Sequence, residues 1–188
     1  MSFTIPNLLT LLRMGLVPPF VVFLINGEAK KALMIVLAAG ITDALDGFIA
    51  RFFNQRSALG ALLDPLADKL LVDSAYVVLA IPYIHHGFQI PLWVTVLVIA
   101  RDVLLVVVAT ALYLAHGIRN FPVTLLSKVT TVFQFSAIVL VLFTSLWPEL
   151  ETAAIVVLYT MAALTLASGL DYVYRTNRRI EDRPRPAA

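Results

Sequence analysis

The chain has no cysteine, three histidines and little charge: 14% of its 188 residues are Asp, Glu, Lys or Arg. Without thiols there can be no disulfide, no iron–sulfur ligation and no thiol nucleophile, although the redox compartment stays open. A net charge of +2 is too small to suggest nucleic acid as a partner. The start has neither a basic leader nor an A-x-A-like cleavage site, and Arg13, Pro18 and Pro19 interrupt its apolar run. It therefore reads as a retained span and not as a signal peptide. His85 and His86 are adjacent and cannot share a helical face with other ligands, so they read as an exposed loop. No internal repeat or second domain is visible, and the inverted repeats common in transporters are missing.

What is present is apolar. With 60% hydrophobic residues and a mean hydropathy of +0.90, the chain reads as an all-α integral membrane protein. Six spans are expected at about residues 1–26, 31–53, 59–81, 92–115, 123–146 and 153–174. Trp93, Trp147, Tyr159 and Tyr172 fall near proposed ends, as interfacial aromatics do. Residues 1–175 form the expected membrane domain, and residues 176–188 a polar, proline-containing tail expected to be disordered. Arg51, Arg56 and Arg119 in two loops, with five arginines in the tail, set the orientation against loops holding none. By the positive-inside rule both termini face the cytoplasm, with only Lys30 and Lys31 disagreeing.

Within this apolar chain, residues 42–69 read TDALDGFIARFFNQRSALGALLDPLADK and carry two carboxylate pairs, Asp43 with Asp46 and Asp64 with Asp68. On helices, positions three and four apart share a face, and antiparallel packing would set the pairs opposite each other. Two carboxylates about 5 Å apart repel by roughly 3 kcal/mol at an effective dielectric near 20. Protonation or cations must answer that. All-oxygen ligands favour a hard ion, Mg²⁺ or Mn²⁺, over zinc or copper. A proton or ion pathway and carboxylates that simply face water are the alternatives. Two metals about 4 Å apart could clamp a pyrophosphate and stabilise a leaving oxygen.

Other polar residues interrupt the spans. Asn7, Thr10 and Arg13 form one stripe on a helix; Arg13 either snorkels to the interface or faces the acidic cluster or a lipid phosphate. Asp73 lies near the membrane middle, where an unpaired charge is expensive, and is expected to be paired or to support the cluster. Arg101, Asp102 and Lys128 are explained either by buried ionic pairing or by a polar cavity shared with the cluster.

The fixed spacing Asp43, Asp46, Gly47, Ala50, Arg51, Gly60, Asp64, Asp68 resembles, position for position, the signature D-x-x-D-G-x-x-A-R-x8-G-x3-D-x3-D of the CDP-alcohol phosphatidyltransferases. The resemblance runs from Ile5 through the last span. It implies a bundle of six transmembrane helices, usually a homodimer. In the implied reaction an acceptor hydroxyl displaces CMP from CDP-diacylglycerol. Carried over by position, Asp43, Asp46, Asp64 and Asp68 would hold two Mg²⁺ or Mn²⁺ ions, with Asp68 also the general base. Gly47, Ala50, Arg51 and Gly60 would meet the CDP moiety.

Two subfamilies look close. Those using glycerol 3-phosphate commonly carry an Arg eight residues beyond the fourth-span Arg, and a G-K-x-K-T run in span five. Here Ala109 and S-K-V-T-T at residues 127–131 stand instead. A phosphate dianion lacking such cations would bind poorly. The eukaryotic-type cardiolipin synthases, whose acceptor is phosphatidylglycerol, are similar at residues 54–60, 63–69, 100–103 and 127–131. The expectation is therefore phosphatidylglycerol as acceptor, glycerol 3-phosphate as alternative, with Arg13, Arg101 and Lys128 as candidates for the acceptor's phosphate. A cation transporter is the reading from another class.

Overall fold

The computed structural model describes residues 5–52, 58–82, 88–116 and 124–181, and within the helices it leaves aside the side chains of 46–52 and 58–68, among others. Among the described residues the regular structure is entirely helical: α1 (Ile5–Ile25), α2 (Ala29–Phe52), α3 (Ala58–Ala80), α4 (Leu92–His116), α5 (Leu125–Thr144) and α6 (Glu151–Glu181), with a short 3-10 turn at Pro148–Leu150. These fall where the apolar runs predict helices. Leu125–Thr144 and Pro148–Thr176 are long and apolar enough to cross a membrane by length and composition. His85, His86 and the loop around Arg119 lie outside the described residues.

Local chemistry sets the helix ends. After α1 the chain reverses at Gly27, whose φ of 73° is the left-handed conformation glycine adopts without strain. Gly27 N–H donates to the Leu24 carbonyl and Glu28 N–H to the Phe23 carbonyl, the paired bonds of a Schellman cap. The Glu28 carbonyl then accepts from the Lys31 and Ala32 amides and starts α2. At the opposite end of the bundle the Thr124 hydroxyl accepts from Ser127 N–H and caps α5. Pro18 and Pro19 sit inside α1, which continues through them.

Helix α6 extends to Glu181, so residues 176–181, expected in a disordered tail, are helical. Arg175 pairs with Asp171 one turn back at 2.7 Å, and no proline stands between Pro148 and Pro184 to stop the helix.

Packing is organised by α1 and α5. Helix α1 lies against both α2 and α3, α5 packs on α6, and α4 bridges α3 and α6. Sequence spacing suggested α2 directly against α3; among the described residues the two are joined through α1. The core takes Phe20 and Leu24 from α1, Val36 from α2, Tyr76 and Leu79 from α3, Ile138 and Leu142 from α5, and Leu158 and Met161 from α6. Outward, Met34, Val103, Val107, Val132, Leu166 and Leu170 are exposed. So much exposed apolar surface is far more than a water-soluble monomer carries and suits a hydrocarbon surround.

The two ends of the bundle differ. Phe88 N–H donates to the Thr144 hydroxyl, and Ile90 N–H to the Leu79 carbonyl, drawing the ends of α3 and α5 to the start of α4. Trp93 and Tyr159 meet there with ring centroids 5.9 Å apart, both exposed, as interfacial aromatics are. Glu28, Lys30, Lys31, Glu149 and Glu151 lie at this end, whereas Arg13, Asp43, Lys69, Arg101, Asp102 and Lys128 lie toward the other.

Candidate functional site

All eight signature positions fall on two helices: Asp43, Asp46, Gly47, Ala50 and Arg51 on α2, and Gly60, Asp64 and Asp68 on α3. Helical register sets each carboxylate pair about one turn apart. Of these eight side chains only that of Asp43 belongs to the described residues; those of Asp46, Gly47, Ala50, Arg51, Gly60, Asp64 and Asp68 lie outside them.

Asp43 is half exposed, with its side chain 52% accessible, and its Oδ1 takes a 2.9 Å salt bridge from Arg13 Nη1. Arg13 is 1% exposed, so it faces the acidic segment and does not snorkel to the interface. Thr10, one turn earlier on α1, is fully buried on the same stripe; Asn7 lies outside the described side chains. A guanidinium buried on α1 places a fixed positive charge beside the first signature carboxylate.

Arg13 and Asp43 stand on the wall of a cavity of about 450 Å³ bounded by α1, α2, α3 and α5. Its remaining wall is mainly apolar, with Leu37, Ile41, Leu71, Val132 and Phe135, and Thr131 and Ser136 add hydroxyls. The arrangement suits a ligand with a charged group and a hydrocarbon part. Gly40 shapes this wall: a Cβ there would come within 2.7 Å of Phe135 Cζ. We expect Gly40→Ala to displace the ring and cost about 1–3 kcal/mol through overpacking. Phe135→Leu in the same chain should recover most of it, measured by thermal melting of the two single variants and the double.

A second charged cluster joins α3, α4, α5 and α6. Asp102 accepts from Arg101 Nη1 at 2.8 Å and pairs through its other oxygen with Lys69 Nζ. Arg101 Nη2 donates to the Ser127 hydroxyl and to the Ser168 hydroxyl, the latter at 2.8 Å. Arg101, Asp102 and Ser168 are buried. Beside Ser168, Gly169 faces the stem of Arg101, and a methyl group at that position would meet Arg101 Cγ at 3.8 Å, an ordinary van der Waals contact. Asp73, one turn beyond Lys69, is partly buried, and its Oδ1 has no hydrogen-bond partner among the described residues.

The three cations grouped from sequence as acceptor ligands are thus in different surroundings. Arg13 lines the cavity; Arg101 is held inside the helix bundle by Asp102 and two serines; Lys128 is exposed on α5 beside Ser127. For Arg101 and Asp102 the ionic-pairing explanation describes what is seen. Lys69, Ser127 and Ser168 were not singled out from sequence. Lys69 was findable because a lysine inside an apolar span calls for an anionic partner, whereas Ser168 gives no signal among the small residues of α6.

A carboxylate donor set of this kind, in a chain without a single thiol, fits a hard divalent ion held by oxygen. Residues 3–167 match the family model for CDP-alcohol phosphatidyltransferase. The chain is 34% identical to human cardiolipin synthase (CMP-forming) over 94% of its own length and 62% of that protein's. It is 36% identical to a probable phosphatidylglycerophosphate synthase of Mycobacterium tuberculosis, covering 93% and 82% of the two chains. It is 35% identical to the Escherichia coli K12 CDP-diacylglycerol–glycerol-3-phosphate 3-phosphatidyltransferase, covering 92% and 94%. With the signature intact on α2 and α3 and the match running from α1 into α6, the chain belongs to the CDP-alcohol phosphatidyltransferase family.

Proposed function

We propose that the chain transfers the phosphatidyl group of CDP-diacylglycerol to the hydroxyl of a glycerol-type lipid acceptor, releasing CMP, in phospholipid synthesis. The observation that carries the reading is the signature itself, eight positions on two helices, with its first carboxylate held by a buried arginine beside a largely apolar cavity. On this reading all six helices span the bilayer, and the Lys and Arg distribution sets the acidic end and both termini in the cytoplasm.

Asp43, Asp46, Asp64 and Asp68 are the residues to hold two Mg²⁺ or Mn²⁺ ions, which when bound neutralise charge on the pyrophosphate and stabilise the leaving oxygen. Arg51 offers a planar donor fork to a phosphate of the donor. Gly47, Ala50 and Gly60 keep the helix surfaces low, so that the nucleotide can come close to the backbone. Asp68 takes the proton of the acceptor hydroxyl as its oxygen bonds to the phosphatidyl phosphorus. The bond from that phosphorus to CMP breaks, and CMP leaves with the electron pair.

Phosphatidylglycerol is the proposed acceptor, which makes the product cardiolipin. Glycerol 3-phosphate brings a dianion. The charge of Arg101 is already answered by Asp102, and Ala109 and Thr130 stand where a free phosphate would want cations. Phosphatidylglycerol brings a single negative charge and two acyl chains, for which an apolar cavity with one arginine is the better match. The glycerol 3-phosphate reading keeps its own support, because the chain covers 94% of the Escherichia coli relative but 62% of the human one.

The test is CMP release by the purified chain in vesicles containing CDP-diacylglycerol, with Mg²⁺ or EDTA, offering phosphatidylglycerol and glycerol 3-phosphate separately. We expect Mg²⁺-dependent CMP and cardiolipin with the first. Preference for the second reassigns the acceptor. Cation flux across the vesicle with no CMP from either would make the carboxylates a transport path.

A further inference from the structure

The cluster around Asp102 is not used in the reaction as described above, yet it grips the helix that carries two of the four signature carboxylates. Lys69 is the residue after Asp68, and its ammonium is paired with a carboxylate that is itself buried on α4. That carboxylate is fixed in turn. Arg101 holds it from one side, and Arg101 is held by hydroxyls of α5 and α6. Three helices therefore converge on one side chain of the fourth.

Farther along α3 the Tyr76 hydroxyl donates to the Gln134 carbonyl of α5, and the Tyr76 and Leu79 carbonyls accept from the Thr95 hydroxyl and Ile90 N–H. Toward the signature, Lys69 makes the polar contact described for α3 that lies nearest its carboxylates. Helical register places Asp64 and Asp68 about 40° apart around the axis and Lys69 about 100° beyond Asp68. A tie at Lys69 therefore bears on the azimuth of both.

We propose that Asp102 is a positioning residue for phosphatidyl transfer: by holding Lys69 it sets the rotation of α3, and so the placement of Asp64 and Asp68. This rests on the reading of those two carboxylates as metal ligands. Neither Asp102 nor Lys69 touches a reacting atom in this scheme. Arg101 braces Asp102.

The test measures Mn²⁺ affinity of the purified full chain by electron paramagnetic resonance, with melting temperature and transfer kinetics recorded beside it. Asp102→Asn leaves Arg101 buried without its partner and can unfold the bundle, so Lys69→Met, which leaves the Arg101–Asp102 pair and both serines in place, is the decisive variant. We expect Lys69→Met to weaken Mn²⁺ binding about tenfold and to lower kcat by a similar factor, with KM for CDP-diacylglycerol changed less than about twofold, the effect of an outer residue that orients ligands. Lys69→Arg should restore most of both. Thr144→Ala, which removes the hydroxyl bonded to Phe88 N–H at the other end of the bundle, should lower the melting temperature without moving Mn²⁺ affinity. Wild-type Mn²⁺ affinity in folded Lys69→Met overturns the proposal, as does an equal loss of affinity in Thr144→Ala. If the wild-type chain binds Mn²⁺ but transfers no phosphatidyl group to either acceptor, the reaction assigned above fails while the affinity comparison still decides this one.

Discussion

Asp68→Asn is expected to lower CMP release at least about a thousandfold, because a positioned general base contributes about 10² to 10⁴ and the same substitution removes a metal ligand. The amide is nearly isosteric with the carboxylate, so packing along α3 is preserved. Stability should move the other way. Four carboxylates on adjacent elements repel when no cation is bound, by roughly 3 kcal/mol for each pair about 5 Å apart at an effective dielectric near 20. In EDTA the variant should therefore melt higher than the wild-type chain. Adding Mg²⁺ should reverse the order, since an ion that binds only the folded state raises its stability according to affinity. Opposite shifts in activity and metal-free stability distinguish a site from a structural carboxylate. Asp73→Asn is the comparison: it lies on the same helix outside the signature, and we expect less than about a tenfold loss from it. Thousandfold losses in both, each with a lowered melting temperature, would show that acidic residues on α3 serve folding and not chemistry.

The sequence made the helices and the signature legible for the same reason. Apolar runs of about twenty residues have few other uses, and carboxylates inside them are too costly to be incidental. Arg13 was legible in part: its stripe with Thr10 left open whether it snorkelled to the interface or faced the acidic cluster or a lipid phosphate. Its partner is Asp43. The order of packing was not legible. Nothing in the spacing of α2 and α3 reveals that α1 lies against both, because interhelical contacts in an apolar medium depend on small differences of shape spread over many residues. For Arg101 the sequence left buried ionic pairing and a shared polar cavity both open. An arginine and an aspartate adjacent in sequence lie about 100° apart on a helix, and pairing across that angle depends on Ser127, Ser168 and Lys69 arriving from three other helices. The end of α6 was missed because polar residues after a span look like a tail. Once the membrane part has nucleated the helix, propagation through Arg175 and the residues after it requires no apolar face.

Replacing Arg13 should have the next largest effect. Arg13 has two duties on this reading: it holds Asp43 at 2.9 Å, and it is the cation on the wall of the cavity proposed for the lipid acceptor. A hydrogen bond to a charged group contributes about 1.5–3 kcal/mol, so losing a guanidinium bonded to a phosphodiester should cost kcat/KM about a hundredfold, at about 1.4 kcal/mol for each factor of ten. Arg13→Met fills similar volume without charge. Its structural cost is moderated because the carboxylate left behind is half exposed and can be solvated. Arg13→Lys keeps the charge and loses the fork, and about a tenfold loss is expected from it. The two duties separate kinetically. A residue that binds acceptor raises KM for phosphatidylglycerol and leaves KM for CDP-diacylglycerol near wild type, whereas a residue that only steadies Asp43 lowers kcat and raises the Mg²⁺ concentration needed for half activity. The double variant Arg13→Met with Asp43→Asn completes the cycle. If Arg13 acts wholly through Asp43, the double variant is no worse than Asp43→Asn alone. If it also meets the acceptor, the rise in KM for phosphatidylglycerol persists on top of the Asp43 loss, and that is the outcome the buried guanidinium on an apolar cavity leads us to expect.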